Sequence, residues 1–218
     1  MGITAEAKRR RLVDDLIAAG DIRTPAVHAA FEKVPRELFV EEDQAHKAYA
    51  DTPLPIPAGQ TISAPSMIAI MLEEGGFAGG QKVLEVGAGS GYNAALLAEL
   101  VGGENLVTIE RHPELVEFAR TNLAKAGYSL TVVAGDGSLG YPPNAPYDRI
   151  IATAGAPRIP KSWSAQLRVG GRILVPIGPS AFHQVLTIAE KRADGTLAVI
   201  ESVACSFVPL VGKEAWRH

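Results

Sequence analysis

The chain has 218 residues, of which 47% are apolar and 21% charged, enough for one sizeable core and unlike a disordered or collagenous protein. Its net charge of −3 gives no general attraction for a phosphate backbone, and the one dense basic run, Lys8 to Arg11, reads as the solvated face of a helix, so nucleic acid is not an expected partner. No apolar stretch reaches the length of a membrane span, the N-terminus carries charges where a secretion signal needs its apolar core, and Gly2 lacks the pattern of myristoylation. No membrane partner is expected, and the single Cys205, which can form no intrachain disulfide, suits the reducing cytoplasm.

Residues 5–19 and 25–34 carry apolar residues at helical spacing, with Gly20 stopping the first run and Thr24-Pro25 opening the second. From Val34 to Ser66 the chain turns proline-rich and irregular; so long an irregular stretch is usually functional. Pro65 opens a helix through SMIAIMLEEGG. Strands and helices then alternate: VLEV, a helix to about Leu100, LVTIE, a helix from Pro113 to Ala126, and LTVVAGD. That βαβαβ order predicts a parallel sheet with right-handed crossovers. YDRIIATA, a short helix KSWSAQL and the strand GGRILVPIG follow, after which QVLTIAEKR, the turn Asp194-Gly195 and TLAVIESVACSFVPL predict an antiparallel hairpin. Asp148 reads as a structural residue at the start of its strand. The pattern is α/β and matches a seven-stranded, Rossmann-like class I methyltransferase sheet better than two βαβαβ halves. The expected division is an N-terminal helical and irregular extension, residues 1–64, contributing to a substrate site, and a cofactor-binding domain, residues 65–218.

The most informative segment is KVLEVGAGSGYNAALLAEL, residues 82–100, a buried strand running through a glycine turn into a helix. Its spacing, Glu85-x-Gly87-x-Gly89-x-Gly91, differs from the GxGxxG of dinucleotide sites, and an acid precedes the first glycine. Glycines permit close backbone approach to a ligand, and a helix opening offers N–H groups. S-adenosylmethionine suits both features, its sulfonium and ammonium favouring nearby acid. Glu110, about 20 residues on at the end of LVTIE, stands where such folds hold a ribose diol. An NAD-type unit, or a turn that binds nothing, remains open on this loop alone.

GQTISAP at 59–65, LEVGAGSGYNAALLAEL at 84–100, GDGSLGY at 135–141, APYDRIIATAGAP at 145–157 and LRVGGRILVPIG at 167–178, in that order, resemble the protein-L-isoaspartate O-methyltransferase family. FVPLVG near the C-terminus is similar to the family's end segment. The resemblance implies methyl transfer from S-adenosylmethionine to the free carboxylate of L-isoaspartyl, and by extension D-aspartyl, residues in damaged proteins, with repair through a succinimide. It implies that Ser63 is the active-site serine. Gln60, Thr61, Ile62, Glu85, Gly87, Gly89, Gly91, Glu110, Asp136 and Gly137 would hold the cofactor, and Ser63, Ala64, Phe207, Val208, Pro209 and Leu210 would meet the substrate.

Each role has a plainer counterpart. Ser63 could cap the helix at Pro65, and Asp136 could serve only its Asp-Gly turn. Backbone groups at 207–210 could pair with an extended peptide as a strand edge. A related enzyme acting on ribosomally made peptides, or a cofactor-binding protein whose catalysis has lapsed, are the competing readings; the shortness of the chain after Trp216 favours repair. No nucleophile elbow surrounds the histidines at 28, 46, 112, 183 and 218, and His183 with Cys205 lacks metal-ligand spacing, so no metal is expected.

Overall fold

The structure, a computed structural model, describes residues 3–180 and 183–217; Gly2 and His218, weighed above, lie outside them. Helix α1 (Ala5–Ala19) is capped by the Thr4 hydroxyl, which accepts from the Ala7 N–H at 3.2 Å, and closed by Gly20 at φ 82°. Helix α2 (Pro25–Lys33) opens on Thr24 and Pro25 and buries Val27, Ala30 and Phe31. Both boundaries follow the cap chemistry of the sequence. The irregular segment contains three 3₁₀ turns and a hairpin that periodicity does not reveal, β1 (Leu54–Ile56) and β2 (Gln60–Ile62), with the third turn, Pro57–Gly59, joining its strands. Its strands have three residues each, too few for a period-two signal, and Ala58 and Gly59 turn between them at φ 58° and 66°.

Helix α3 (Pro65–Gly75) precedes a seven-stranded sheet ordered β5-β4-β3-β6-β7-β8-β9. The strands are β3 (Val83–Val86), β4 (Leu106–Glu110), β5 (Thr131–Ala134), β6 (Tyr147–Ala152), β7 (Leu167–Ser180), β8 (His183–Lys191) and β9 (Leu197–Cys205). Strands β3 to β7 pair in parallel, and β8 and β9 add an antiparallel end. Strand β7 begins three residues before GGRILVPIG, because a bulge of four residues, Arg168 to Gly171 with Gly170 at φ 75°, lies between the pairs Tyr147–Leu167 and Arg149–Arg172, against Asp148 alone on β6.

Helices α4 (Tyr92–Val101) and α5 (Pro113–Lys125) share a core with α1 to α3 on one face of the sheet; α6 (Lys161–Gln166) places Trp163 in the core on the other. Asp148 holds the foot of β6, accepting from the Lys82 N–H at 2.7 Å and pairing with Arg168. Neighbours β3 and β6 send their connections to opposite sides of the sheet. The crevice at their carboxyl ends is where an α/β sheet binds ligands.

Besides the apolar faces of α1 and α2 and the ion pairs Arg23–Glu74 and Lys33–Glu99, one carboxylate anchors the N-terminal helix pair to α3. Glu73 of α3 accepts from the backbone N–H groups of Arg23 and Thr24, both at 2.8 Å, and from the Thr24 hydroxyl at 3.1 Å. Glu73→Ala is expected to lower stability by about 1–2 kcal/mol, and Glu73→Gln, which keeps an acceptor, by less. Urea midpoints of the two variants check this; equal values near wild type would detach Glu73 from the docking.

Candidate active site

At the crevice lies a cleft of about 550 Å³ with Gln60 and Thr61 from the hairpin, Gly87 and Gly89 from the loop after β3, Glu110, Arg111 and His112 from the end of β4, and Gly137 after β5. Val86, Ile109, Leu115, Ala154 and Leu210 supply apolar wall. The Glu110 carboxylate is fixed from both sides: Oε2 accepts from the Gly89 N–H at 3.1 Å and Oε1 from the His112 N–H at 3.0 Å. A carboxylate offers about four lone-pair directions, so acceptor capacity remains for a vicinal diol.

The three glycine amides of the loop are already committed. The N–H of Gly87 goes to Ile109 O at 2.8 Å, that of Gly89 to Glu110, and that of Gly91 to Ala88 O at 2.8 Å. A pyrophosphate would need such donors; it would also face an acid. An apolar slot with a diol acceptor and acidic surroundings fits S-adenosylmethionine, and the dinucleotide alternative loses its physical basis.

Beneath the loop, Glu85 is wholly buried on β3. Asn93 Nδ2 donates to its Oε1 at 2.8 Å, while Oε2 and the neighbouring Thr108 hydroxyl, its partner in the β3–β4 register, lie side by side without a hydrogen bond in good geometry. Burial, with a smaller contribution from Glu110, pushes the Glu85 pKa up to about 7, against the opposing pull of Thr108 and Asn93.

A second cavity of about 540 Å³ adjoins the cleft, lined by Pro53, Thr61, Ser63, Ala64, Met67, Thr153, Ser206, Phe207 and Val208. Thr61, Thr153 and Val208 line both spaces and mark their junction. The second cavity has four hydroxyl residues and no charged one. Ser63 does not cap α3: the N-cap is Ala64 without a side-chain bond, and the Ser66 N–H is met instead by Asp51 Oδ1 at 2.9 Å.

Several residues assigned from sequence lie elsewhere than in these linings. Ile62 is buried in the core, and Glu85 lies beneath the loop. Gly91 packs against α5, where an added Cβ would stand 3.1 Å from Leu123 and 3.2 Å from Ala119 O, so its constraint is helix packing at φ 88°. Asp136 faces a neighbouring recess with Lys213 and Trp216; its oxygens accept from the Ser138 N–H and hydroxyl and from the Lys213 N–H, which hold its pKa low against burial. Pro209 and Leu210 line the cofactor cleft, not the second cavity.

Much of the backbone at 207–210, where strand-like pairing with a peptide was expected, is engaged within the chain: the Gly155 N–H donates to Val208 O at 2.8 Å, the Gly155 carbonyl accepts from the Leu210 N–H at 2.7 Å, Gln184 brackets Phe207, and Leu210 O accepts from the Trp216 N–H. Two residues were missed. Thr153, whose hydroxyl donates to Gly87 O at 2.6 Å, has no sequence signature, and Arg36, buried behind Ser63 with Nη2 3.0 Å from its carbonyl, reads in sequence as one of many helix-turn cations.

Residues 7–215 match the family model described as protein-L-isoaspartate(D-aspartate) O-methyltransferase. The protein-L-isoaspartate O-methyltransferase of Pyrococcus horikoshii is 52% identical, covering 97% of this chain and 96% of its own, and that of Ignicoccus hospitalis is 53% identical, covering 96% and 100%. A solved structure of a protein-L-isoaspartate O-methyltransferase has a TM-score of 0.84 at 31% identity, covering 95% of this chain and 67% of that one. A Plasmodium falciparum protein solved in complex with S-adenosyl-L-homocysteine has a TM-score of 0.82 at 24% identity and supports the fold alone.

The Glu85 environment has a measurable consequence. The folded protein keeps a proton to about pH 7 that the unfolded chain releases near 4.5, so this contribution to stability is complete below the lower value and is lost as pH rises through the upper one. The loss is on the order of 3 kcal/mol. Between pH 5 and 8 the melting temperature should fall in the wild type and stay nearly level in Glu85→Gln. Parallel profiles for the two proteins would remove Glu85 as the titrating group.

Proposed function

The chain belongs to the protein-L-isoaspartate O-methyltransferase family, and we propose that it methylates the free α-carboxylate of isoaspartyl residues in damaged proteins, using S-adenosylmethionine. The observation that carries this reading is the meeting of two cavities at Thr61, Thr153 and Val208, one beside a fixed acid and the other free of charge. When bound, the cofactor supplies an electrophilic methyl group on a positively charged sulfur. In this reading Glu110 holds the ribose, with Gly87, Gly89, Gln60, Thr61 and Gly137 around the cofactor, and Glu85 supports the loop from below. Asp136 acts at one remove, by fixing the C-terminal segment through Lys213. Residues 1–64 act as an extension that supplies the wall of the acceptor site to the domain of residues 65–218, and the cytoplasm is its compartment.

The attacking group needs little activation. A carboxylate with an ordinary pKa near ~4 is ionised at neutral pH, so no general base is required. The second cavity suits such a nucleophile because it offers hydroxyls and no ammonium or guanidinium that would draw off its charge. Ser63, Ala64, Phe207 and Val208 form its wall, and the Ser63 hydroxyl, relieved of capping α3, orients the carboxylate. Thr153 spends its proton on Gly87 O, so it presents an oxygen, not a donor, at the junction. Alignment and exclusion of water then carry most of the acceleration, up to ~7–11 kcal/mol in favourable systems. Methyl transfer turns the carboxylate into an ester; attack by the next backbone nitrogen expels methanol and closes the succinimide, which opens in part to aspartate.

Base-labile methyl incorporation into an isoaspartyl peptide, set beside its aspartyl twin, tests the assignment; equal labelling of both, or of neither, overturns it. Ser63→Ala should lower kcat/KM at least tenfold, a loss of about 1.4 kcal/mol or more, with S-adenosylhomocysteine affinity unchanged by calorimetry. At saturating substrates kcat should vary little between about pH 6 and 8, since the attacking carboxylate stays ionised. Full activity in the alanine variant would leave Ser63 without the orienting role.

A further inference from the structure

We propose that Arg36 is a positioning residue for methyl transfer, fixing the backbone of Ser63 and tying the acceptor cavity to the start of α4, next to the glycine loop. This inference rests on the orienting role given to Ser63 above. Arg36 is fully buried, and its guanidinium makes one geometric hydrogen bond, from Nη2 to the Ser63 carbonyl at 3.0 Å. Nε and Nη1 are buried without a hydrogen-bond partner among the described residues. The plane lies 4.9 Å from the centre of the Tyr92 ring, which is itself set against Phe39 at 5.6 Å and Phe31 at 6.4 Å. Tyr92 is the first residue of α4 and directly follows Gly91 of the glycine loop.

The segment around Ser63 is clamped at two points by other means. Before it, Ile62 pairs with Leu54 in the β1–β2 hairpin; after it, Asp51 receives the Ser66 N–H. Ser63 lies between these clamps, and Arg36 meets its carbonyl there. A buried, half-satisfied cation is a costly way to fill a core site, since an apolar side chain of similar volume usually packs there at equal or better stability. Burial also presses the guanidinium pKa below its usual value. The one bond gained for that cost falls on the residue that lines the charge-free acceptor cavity. It also places a fixed positive charge behind the wall that an anionic carboxylate approaches, without putting that charge in contact with the nucleophile.

The test compares Arg36→Met and Arg36→Lys with the wild type. For R36M the melting temperature should equal or exceed wild type, S-adenosylhomocysteine affinity should stay within twofold, and kcat/KM for an isoaspartyl peptide should fall at least tenfold. For R36K, which keeps a donor but loses the flat stacking face, part of that loss should be recovered. Amide exchange over residues 60–66 should quicken in R36M while that of α1 and α2 is unchanged. A lower melting temperature with full activity per folded molecule would make Arg36 structural and overturn the inference, as would wild-type activity with unchanged exchange. Failure of R36M to fold would refute the claim that the charge is dispensable for folding, and the kcat/KM of R36K would then decide the positioning role. If the wild type does not methylate the peptide, the Ser63 reading fails on its own and the exchange pattern still reports on Arg36.

Discussion

Glu110 holds the site together. One carboxylate at the end of β4 takes the Gly89 N–H on one oxygen and the His112 N–H on the other, so the loop after β3, the end of β4 and the start of α5 cannot move independently. Charge-assisted bonds to backbone donors are about twice as strong as neutral ones, and here they consume the amide that a phosphate ligand would require. In the proposed function, the carboxylate held by these two bonds keeps acceptor capacity for the ribose hydroxyls of the cofactor. Gly87 adds to the rigidity of the loop, because at φ 96° an added Cβ would stand 2.6 Å from the Thr153 hydroxyl, which itself donates to the Gly87 carbonyl. Loop and junction are therefore one rigid piece.

Stability has been given up at this piece. Six buried side-chain polar atoms lack a geometric hydrogen-bond partner among the described residues; four of them belong to Arg36, Glu85 and Thr108 around the site, and the others are Trp216 Nε1 and Asp148 Oδ1, the latter ion-paired with Arg168. Each such atom costs free energy that a repacked apolar core would not. Several buried polar groups elsewhere are satisfied: Trp163 donates to Gly137 O at 2.9 Å, Arg149 caps the carbonyls of Gly75 and Gly76, and Gln166 bonds Tyr141 and Leu139. The contrast locates most of the unsatisfied groups at function rather than at careless packing.

The alternation of strands and helices, the glycine loop and Glu110 were legible in the sequence because each is local: Thr24-Pro25, Gly20 and the LVTIE run carry their own stop and start signals. What was not legible is non-local. Asp51 caps α3 from 15 residues away, displacing the expected Ser63, and no spacing rule connects them. The hairpin β1–β2 is stabilised by burial of Leu54, Ile56 and Ile62 rather than by any repeat. Gly91 and Glu85 fall in the glycine motif but serve packing and support, a distinction that depends on which side of the loop faces α5. Thr153 acquires its place only when β6 lies beside β3.

On the proposed assignment of the second cavity to the isoaspartyl acceptor, the arrangement of charge around it follows from a conflict between binding and reactivity. A direct arginine partner would hold an isoaspartyl carboxylate firmly, yet the same contact would stabilise the anion more than the transition state, in which its charge is being neutralised; binding gained in that way raises the barrier. A cavity of hydroxyls avoids this, at the expense of affinity. Setting Arg36 one layer back, against the carbonyl of Ser63 and the face of Tyr92, retains a long-range attraction and a rigid wall while the contact atoms remain weak donors. The desolvation of Arg36 is then the cost of keeping the positive charge close to the nucleophile without touching it.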